Sequence, residues 1–250
     1  MTLERGVPFS TVFNFRDLGG YPATDGRKVR WGQIYRSDGL HRLAEEDFEG
    51  FAAIGVRTVL DLRRPDELAA DGRIAESLGL DFHHVNFHAD QWPEHTLGPE
   101  AMPRYLADRY AEMADGGITG RNGVAPSLRL LASAEAAPLV FHCAAGKDRT
   151  GVLAALALSL VGVSDDDIAD DYALTERAER RYHKWRRSLS PDRPEEAGHA
   201  PAWMINPCPR DAMLLFLTEL RERHGSVEEY VHRTGLTDTE VARLREHLLE

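Results

Sequence analysis

Cys143 and Arg149 are the residues from which the chemistry of this chain is read. They stand in "FHCAAGKDRT", residues 141–150, with the spacing C-x5-R. An apolar stretch, "PLVFH", precedes the cysteine and an apolar run, "TGVLAALALSLVG", follows the arginine. The pattern predicts a loop between the carboxyl end of a central strand and the N-terminus of a helix, where open α/β sheets bind ligands. There the backbone N–H groups of residues 144–149 can curl around an anion, helped by the helix dipole. Ala144, Ala145 and Gly146 let the backbone come close, Lys147 can read a second phosphate or a carboxylate, and Arg149 offers a planar fork that matches two phosphate oxygens. The same positive field favours the thiolate of Cys143. A thiolate beneath a bound phosphate is placed for in-line attack on phosphorus, giving a phosphocysteine that water then hydrolyses. Thr150 is expected to donate a hydrogen bond to the sulfur and help it leave. Positioning and charge stabilisation carry most of such a reaction, because its transition state is loose. The design needs no metal and no cofactor.

Two plainer readings compete. A lone cysteine after a core strand is often an inert buried thiol, but His142, Gly146, Arg149 and Thr150 at these spacings argue against it. A nucleotide-binding loop needs G-x4-G-K-[ST]. Here Lys147 is followed by Asp148, and position 141 is Phe, so that motif fails.

The same residues carry a resemblance. "HCAAGKDRTG" resembles the signature of the cysteine-dependent protein tyrosine phosphatase superfamily, and its Lys-Asp pair, with "NFRDLGGY" at 14–21 and "YRSD" at 35–38, is similar to the bacterial and fungal branch. The tail "GSVEEYVHRTGLTDTEVARLREHLL" resembles that branch too, so the likeness spans nearly the whole chain and is weakest over 88–125 and 185–210. It implies a phosphoric monoester hydrolase whose substrates lie among phosphotyrosine, phosphoserine or phosphothreonine proteins and phosphoinositides. It also implies that the loop aspartate, Asp148, gives the leaving group its proton. Lys147 and Arg149 on either side favour the ionised carboxylate, an awkward setting for an acid unless the bound phosphate dianion offsets them. Asp90, in "NFHADQW", is the alternative acid. A catalytically silent phosphate-binding module of the same fold is the competing function, and the intact Cys143, Arg149 and Thr150 argue against it.

Other residues are expected to support the loop. His142 is read as bonding backbone rather than acting as a base. Asp61, at the end of "VRTVLDL", is expected to face the site and either orient Arg149 or cap the next turn. Arg16 and Asp17 are expected to form a buried ion pair or brace a turn, and Cys208 is read as a bystander, with a reversible disulfide to Cys143 as the lesser alternative. The histidines, His83, His84 and His88 among them, show no zinc-ligand spacing.

The elements that must position these residues follow from periodicity. Strand signals at 56–62, 80–87 and 138–142 alternate with helical ones, which predicts a central, mostly parallel sheet flanked by helices. An N-terminal hairpin is expected over 10–40, a helix over "LAEEDFEGFAAI" stopped by Gly55, another over "DELAADGRIAESLG", and helices near 100–114 and 126–135. "SDDDIADDYALTERAERRYHKWRR" reads as one long polar helix capped by Ser164. A helical extension, 211–250, carries two capping boxes, Ser226 with Glu229 and Thr237 with Glu240. Segments 88–125 and 185–210 are candidate lids, and the whole chain, 1–250, is expected to form a single domain.

The net charge of −11 and pI near 5.5 argue against nucleic-acid binding by bulk charge. No run is long enough to span a bilayer. Two cysteines and no apolar leader in residues 1–20 point to a cytoplasmic setting and leave the oligomeric state open.

Overall fold

Period-two alternation in short apolar segments builds the sheet. In the computed structural model, which describes residues 5–87, 97–120, 123–189 and 207–250, five strands form: β1 (Arg16–Asp17), β2 (Ile34–Ser37), β3 (Thr58–Asp61), β4 (Asp81–His84) and β5 (Leu139–His142). Their order is β1-β2-β5-β3-β4, with β2, β5, β3 and β4 parallel and β1 antiparallel at the edge. Successive side chains point to opposite faces. Ile34, Leu60, Leu139 and Phe141 accordingly enter one core, and Tyr35, Val59 and Val140 enter the other.

The smaller core packs against α1 (Phe48–Ile54) and the N-terminal segment, through Phe15, Phe51 and Leu40. The larger is covered by α3 (Met102–Ile118), α4 (Val124–Leu131), α5 (Asp148–Leu160), α6 (Asp165–Ala173), α8 (Arg210–His224), α9 (Val227–Arg233) and α10 (Asp238–Leu248). Every residue of α5 from Thr150 to Leu158 is buried, as its all-round apolar sequence requires. Two further helices, α2 (Pro65–Asp71) and α7 (Thr175–Ser188), approach the carboxyl end of the sheet.

Several expectations are corrected in detail. The helix expected through residue 79 stops at Gly72, which takes φ +75° as α2 ends, leaving one 3-10 turn at Glu76–Leu78. The single polar helix after Ser164 is two, α6 and α7, divided at Leu174. The cause is Arg16: its Nη2 donates to the Asp171 carbonyl at 2.9 Å, and that side chain intrudes on the helical ladder at the break. Most of the described part of the 88–125 segment is α3, whose Leu106, Tyr110 and Met113 sit in the core, so it serves as framework rather than as cover. Of the second candidate lid, 185–188 completes α7, and 190–206 lies outside the described residues. Of the two capping boxes, Thr237 and Glu240 bond reciprocally, whereas at Ser226 only the hydroxyl accepts, from the Glu229 amide. Among the described residues no helix is long and apolar enough to cross a membrane.

Candidate active site

Register brings three strand ends level. Ser37 of β2 and Asp61 of β3 both pair with His142 of β5, so the loops that follow converge around residues 143–147. Each loop carbonyl there is held from outside. His142 Nδ1 bonds Cys143 O at 3.1 Å, Gly39 N donates to Ala144 O at 3.0 Å, Asn14 Nδ2 donates to Ala145 O at 3.2 Å and Gly146 O at 3.0 Å, and Arg36 Nη2 donates to Gly146 O at 2.9 Å. The Lys147 carbonyl takes the Gly151 amide as α5 begins. None of the six N–H groups of residues 144–149 donates a hydrogen bond among the described residues. A ring of amides whose carbonyls are tied back is an anion cradle. Gly146 is required in it: φ is +66°, and a Cβ there would lie 2.4 Å from Ser37 O.

Cys143 is buried at the base of this loop, and its sulfur lies within electrostatic reach of Arg149 and Arg36. Arg149 is not left to itself. Its two terminal nitrogens grip the Glu67 carboxylate of α2, Nη2 meeting Oε1 at 3.0 Å. The Glu67 side chain also accepts the Arg64 amide at 2.7 Å, satisfying an N–H at the start of α2. Burial pushes the Glu67 carboxyl up, but the bonds from Arg149 and the Arg64 amide outweigh it and hold the group below the ordinary carboxylate range. Burial likewise opposes the charge of Arg149, and the Cys143 sulfur and Glu67 outweigh it.

Asp61 does not reach Arg149. It holds the fully buried Arg63 through bonds of 3.0, 3.1 and 2.7 Å, caps the turn at the Arg63 amide, and lies 3.7 Å from His142 Nε2. Burial pulls His142 below the usual imidazole range, with Asp61 opposing and Arg63 assisting. Arg16 and Asp17 do not pair with each other, since neighbours on a strand face opposite ways. Arg16 Nε meets Asp171 Oδ1 of α6 at 2.9 Å, and Asp17 accepts the Gly19 and Gly32 amides at 2.7 Å each. Asp171 also takes Arg36 Nη1 at 2.6 Å and the Tyr21 hydroxyl at 3.2 Å. Burial would raise this carboxyl, but Arg16 and Arg36 pull it far below the ordinary range. The pair Arg36–Asp171 therefore supports the cradle from behind.

At the first turn of α5, Asp148 accepts a hydrogen bond from Tyr110 at 2.8 Å, and Tyr110 meets Tyr172 at 2.6 Å. Lys147 is buried, with its ammonium 3.7 Å from Asp148. Thr150 Oγ1 is buried and has no hydrogen-bond partner among the described residues, so the expected bond to the sulfur is not made here. Cys208 is buried, its thiol pushed up to about 12 by burial, and neither it nor Cys143 forms a disulfide among the described residues. Asp90 lies outside the described residues.

A cavity of about 430 Å³ opens beside the loop at Ala144 and Ala145, walled by Arg42 and by Glu179, Tyr182 and Trp185 of α7. Burial pushes the Glu179 carboxyl up to about 7, with Lys147 and Arg42 opposing and Asp148 and Asp38 assisting; His183 Nε2 is 3.5 Å away. The folded chain thus holds this proton more tightly than the unfolded one. The group costs nothing below the ordinary glutamate range, and its cost grows as pH rises to 7, to at most about 3 kcal/mol. Glu179→Gln is expected to raise the urea midpoint at about pH 8 and to leave it unchanged near pH 4.

Glu67, Asp171, Tyr110 and Glu179 are the site residues that sequence reasoning missed. Asp171 had a visible signal, since it shares a helical face with Ile168 and Thr175 and so must be buried.

A model of the tyrosine phosphatase family matches residues 7–250. The chain is 32% identical over 254 residues to a protein of Cupriavidus necator assigned as a tyrosine-protein phosphatase, covering 97% of this chain and 88% of that one. It is 30% identical over 190 residues to the triple specificity protein phosphatase PtpB of Mycobacterium tuberculosis, covering 64% and 66%. Among solved structures, the core catalytic domain of the PP-IP phosphatase SIW14 from S. cerevisiae aligns with TM-score 0.39 and 19% identity over 68% of this chain and 77% of that one.

Proposed function

Because this chain belongs to the tyrosine phosphatase family, and is a phosphatase, we propose that it hydrolyses phosphoric monoesters through a phosphocysteine formed at Cys143, with phosphotyrosine as a substrate and phosphoserine, phosphothreonine or phosphoinositides as further ones. The observation that carries this reading is the cradle: five tied-back carbonyls and six undirected N–H groups around a buried cysteine, with Arg149 beside it. Donors aimed at a site before charge develops there stabilise that charge without reorganisation. The amides of 144–149 and Arg149 would hold the three non-bridging oxygens, Cys143 would attack phosphorus as the ester oxygen leaves, and water would then displace the sulfur. Thr150, buried with an unused hydroxyl, is suited to bond the sulfur once phosphate is bound. Neither Cys143 nor Cys208 forms a disulfide among the described residues, which fits a reducing cytoplasm. The direct test is p-nitrophenyl phosphate with EDTA present: nitrophenolate release is expected, and no release from any aryl phosphate would favour a silent phosphate-binding module.

Asp148 is the acid in this reading. Tyr110 fixes its carboxyl at the first turn of α5, with the Lys147 ammonium 3.7 Å away. Proton donation matters most for poor leaving groups. Asp148→Asn is expected to lose about 10² to 10⁴ in kcat on phenyl phosphate and less than about tenfold on a highly activated aryl phosphate. Equal losses on both would remove Asp148 from that role and turn attention to Asp90.

A further inference from the structure

The helix that walls the active-site cavity carries a charge opposite to that of the chain. Residues 175–188 contain six basic side chains, Arg177, Arg180, Arg181, Lys184, Arg186 and Arg187, against two acidic ones, in a protein of net charge −11. All six are exposed. Among the described residues, Arg177, Lys184, Arg186 and Arg187 have no acidic partner, whereas Arg180 pairs with Glu176 and Arg181 donates to the Phe13 carbonyl. Three of these cations do not merely face solvent. Arg177, Arg180 and Arg181 line a groove of about 580 Å³ between α7 and the N-terminal segment, with Arg5 on the opposite side and Phe13 and Leu174 supplying apolar surface. Asn14 and Ala178 line this groove and also the cavity that reaches Ala144 and Ala145. The two concavities therefore share a wall.

From this we infer that the arginine groove binds acidic residues flanking the phosphorylated side chain of a peptide substrate, while the phosphoryl group sits in the loop at 143–149. The inference rests on the phosphatase reading and names its substrate class. A concave groove with two walls and apolar patches takes an extended chain; a bilayer surface needs a flat or convex face. The net negative charge of the protein disfavours acidic ligands over much of its surface, so this basic strip favours where they land.

The experiment uses the full chain and two phosphotyrosyl peptides of equal length, one with Asp and Glu around the phosphotyrosine and one with Asn and Gln. At low salt the acidic peptide is expected to have a kcat/KM about tenfold higher, a preference that shrinks with added salt because the pairs are exposed. Arg177→Gln with Arg180→Gln should bring the ratio to about two or less, while Lys184→Gln with Arg187→Gln, which removes equal charge outside the groove, should leave it near the wild-type value. Hydrolysis of p-nitrophenyl phosphate should be the same in all three proteins. A ratio near one in the wild type overturns the inference, as does equal loss from both double variants, which would mean bulk charge. Sedimentation with phosphatidylserine vesicles that depends on Arg177 and Arg180, with no peptide preference, would make the strip a membrane surface and also overturn it. If p-nitrophenyl phosphate itself is not hydrolysed, the phosphatase reading fails and this inference falls with it; if only the peptide ratio is flat, the phosphatase reading stands.

Discussion

Cys143→Ser is expected to lower turnover of p-nitrophenyl phosphate by about 10⁴-fold or more while the protein stays folded and still binds phosphate. The size of the loss follows from the role. Serine at this position is almost wholly protonated and a poor nucleophile without a base, and the one histidine beside it, His142, has its Nδ1 on the Cys143 carbonyl and its Nε2 toward Asp61. Among the described residues no neighbouring side chain is arranged to activate a hydroxyl, whereas the Arg149 guanidinium lies within electrostatic reach of the sulfur. The cradle itself is backbone, tied by Asn14, Arg36 and Gly39, and does not depend on the sulfur. Steady-state kinetics with isothermal titration of inorganic phosphate separates the two properties. Retained turnover would mean that another group attacks, and lost phosphate binding would mean that the substitution had collapsed the loop.

The second large effect is on stability. Asp171→Ala is expected to cost about 3 to 5 kcal/mol, a large share of the roughly 5 to 15 kcal/mol that holds a domain together. Asp171 is 1% exposed and is the shared partner of Arg16 and the equally buried Arg36. Removing it leaves two guanidinium groups in the interior without a counter-charge, which is far worse than lacking the network altogether. Arg36 also holds the Gly146 carbonyl, so activity should fall along with stability. Asp171→Asn keeps an acceptor and should lose less. Urea unfolding of both variants checks this, and an Asp171→Ala protein within about 1 kcal/mol of wild type would show that the network is not the brace described here.

What was legible in the chain was local. The apolar strand, small loop and apolar helix around Cys143 are contiguous, so their order in sequence already dictates a loop at the carboxyl end of a central strand. The parallel sheet followed from alternating periodicities for the same reason. The supports of the loop were not legible, because they join distant segments. Glu67 meets Arg149 across 82 positions, Arg36 meets Asp171 across 135, and Arg16 meets Asp171 across 155. Nothing in the local spacing of an arginine names its partner. Where local geometry does bear, it decides between the readings: Arg16 and Asp17, adjacent on a strand, face opposite ways and do not pair, so Asp17 braces the turn at Gly19, and Asp61 caps the turn at the Arg63 amide rather than orienting Arg149.

The covalent step is the centre of the account, and trapping it is the most direct test. The enzyme is mixed with a phosphoryl donor labelled on phosphorus, quenched in acid within the first turnover, digested and analysed by mass spectrometry. One phosphoryl group is predicted on the peptide containing Cys143, and none on the same peptide of Cys143→Ser. Turnover at the full rate with no phosphoryl group on Cys143 at any quench time, or a phosphoryl group on another residue, would contradict it.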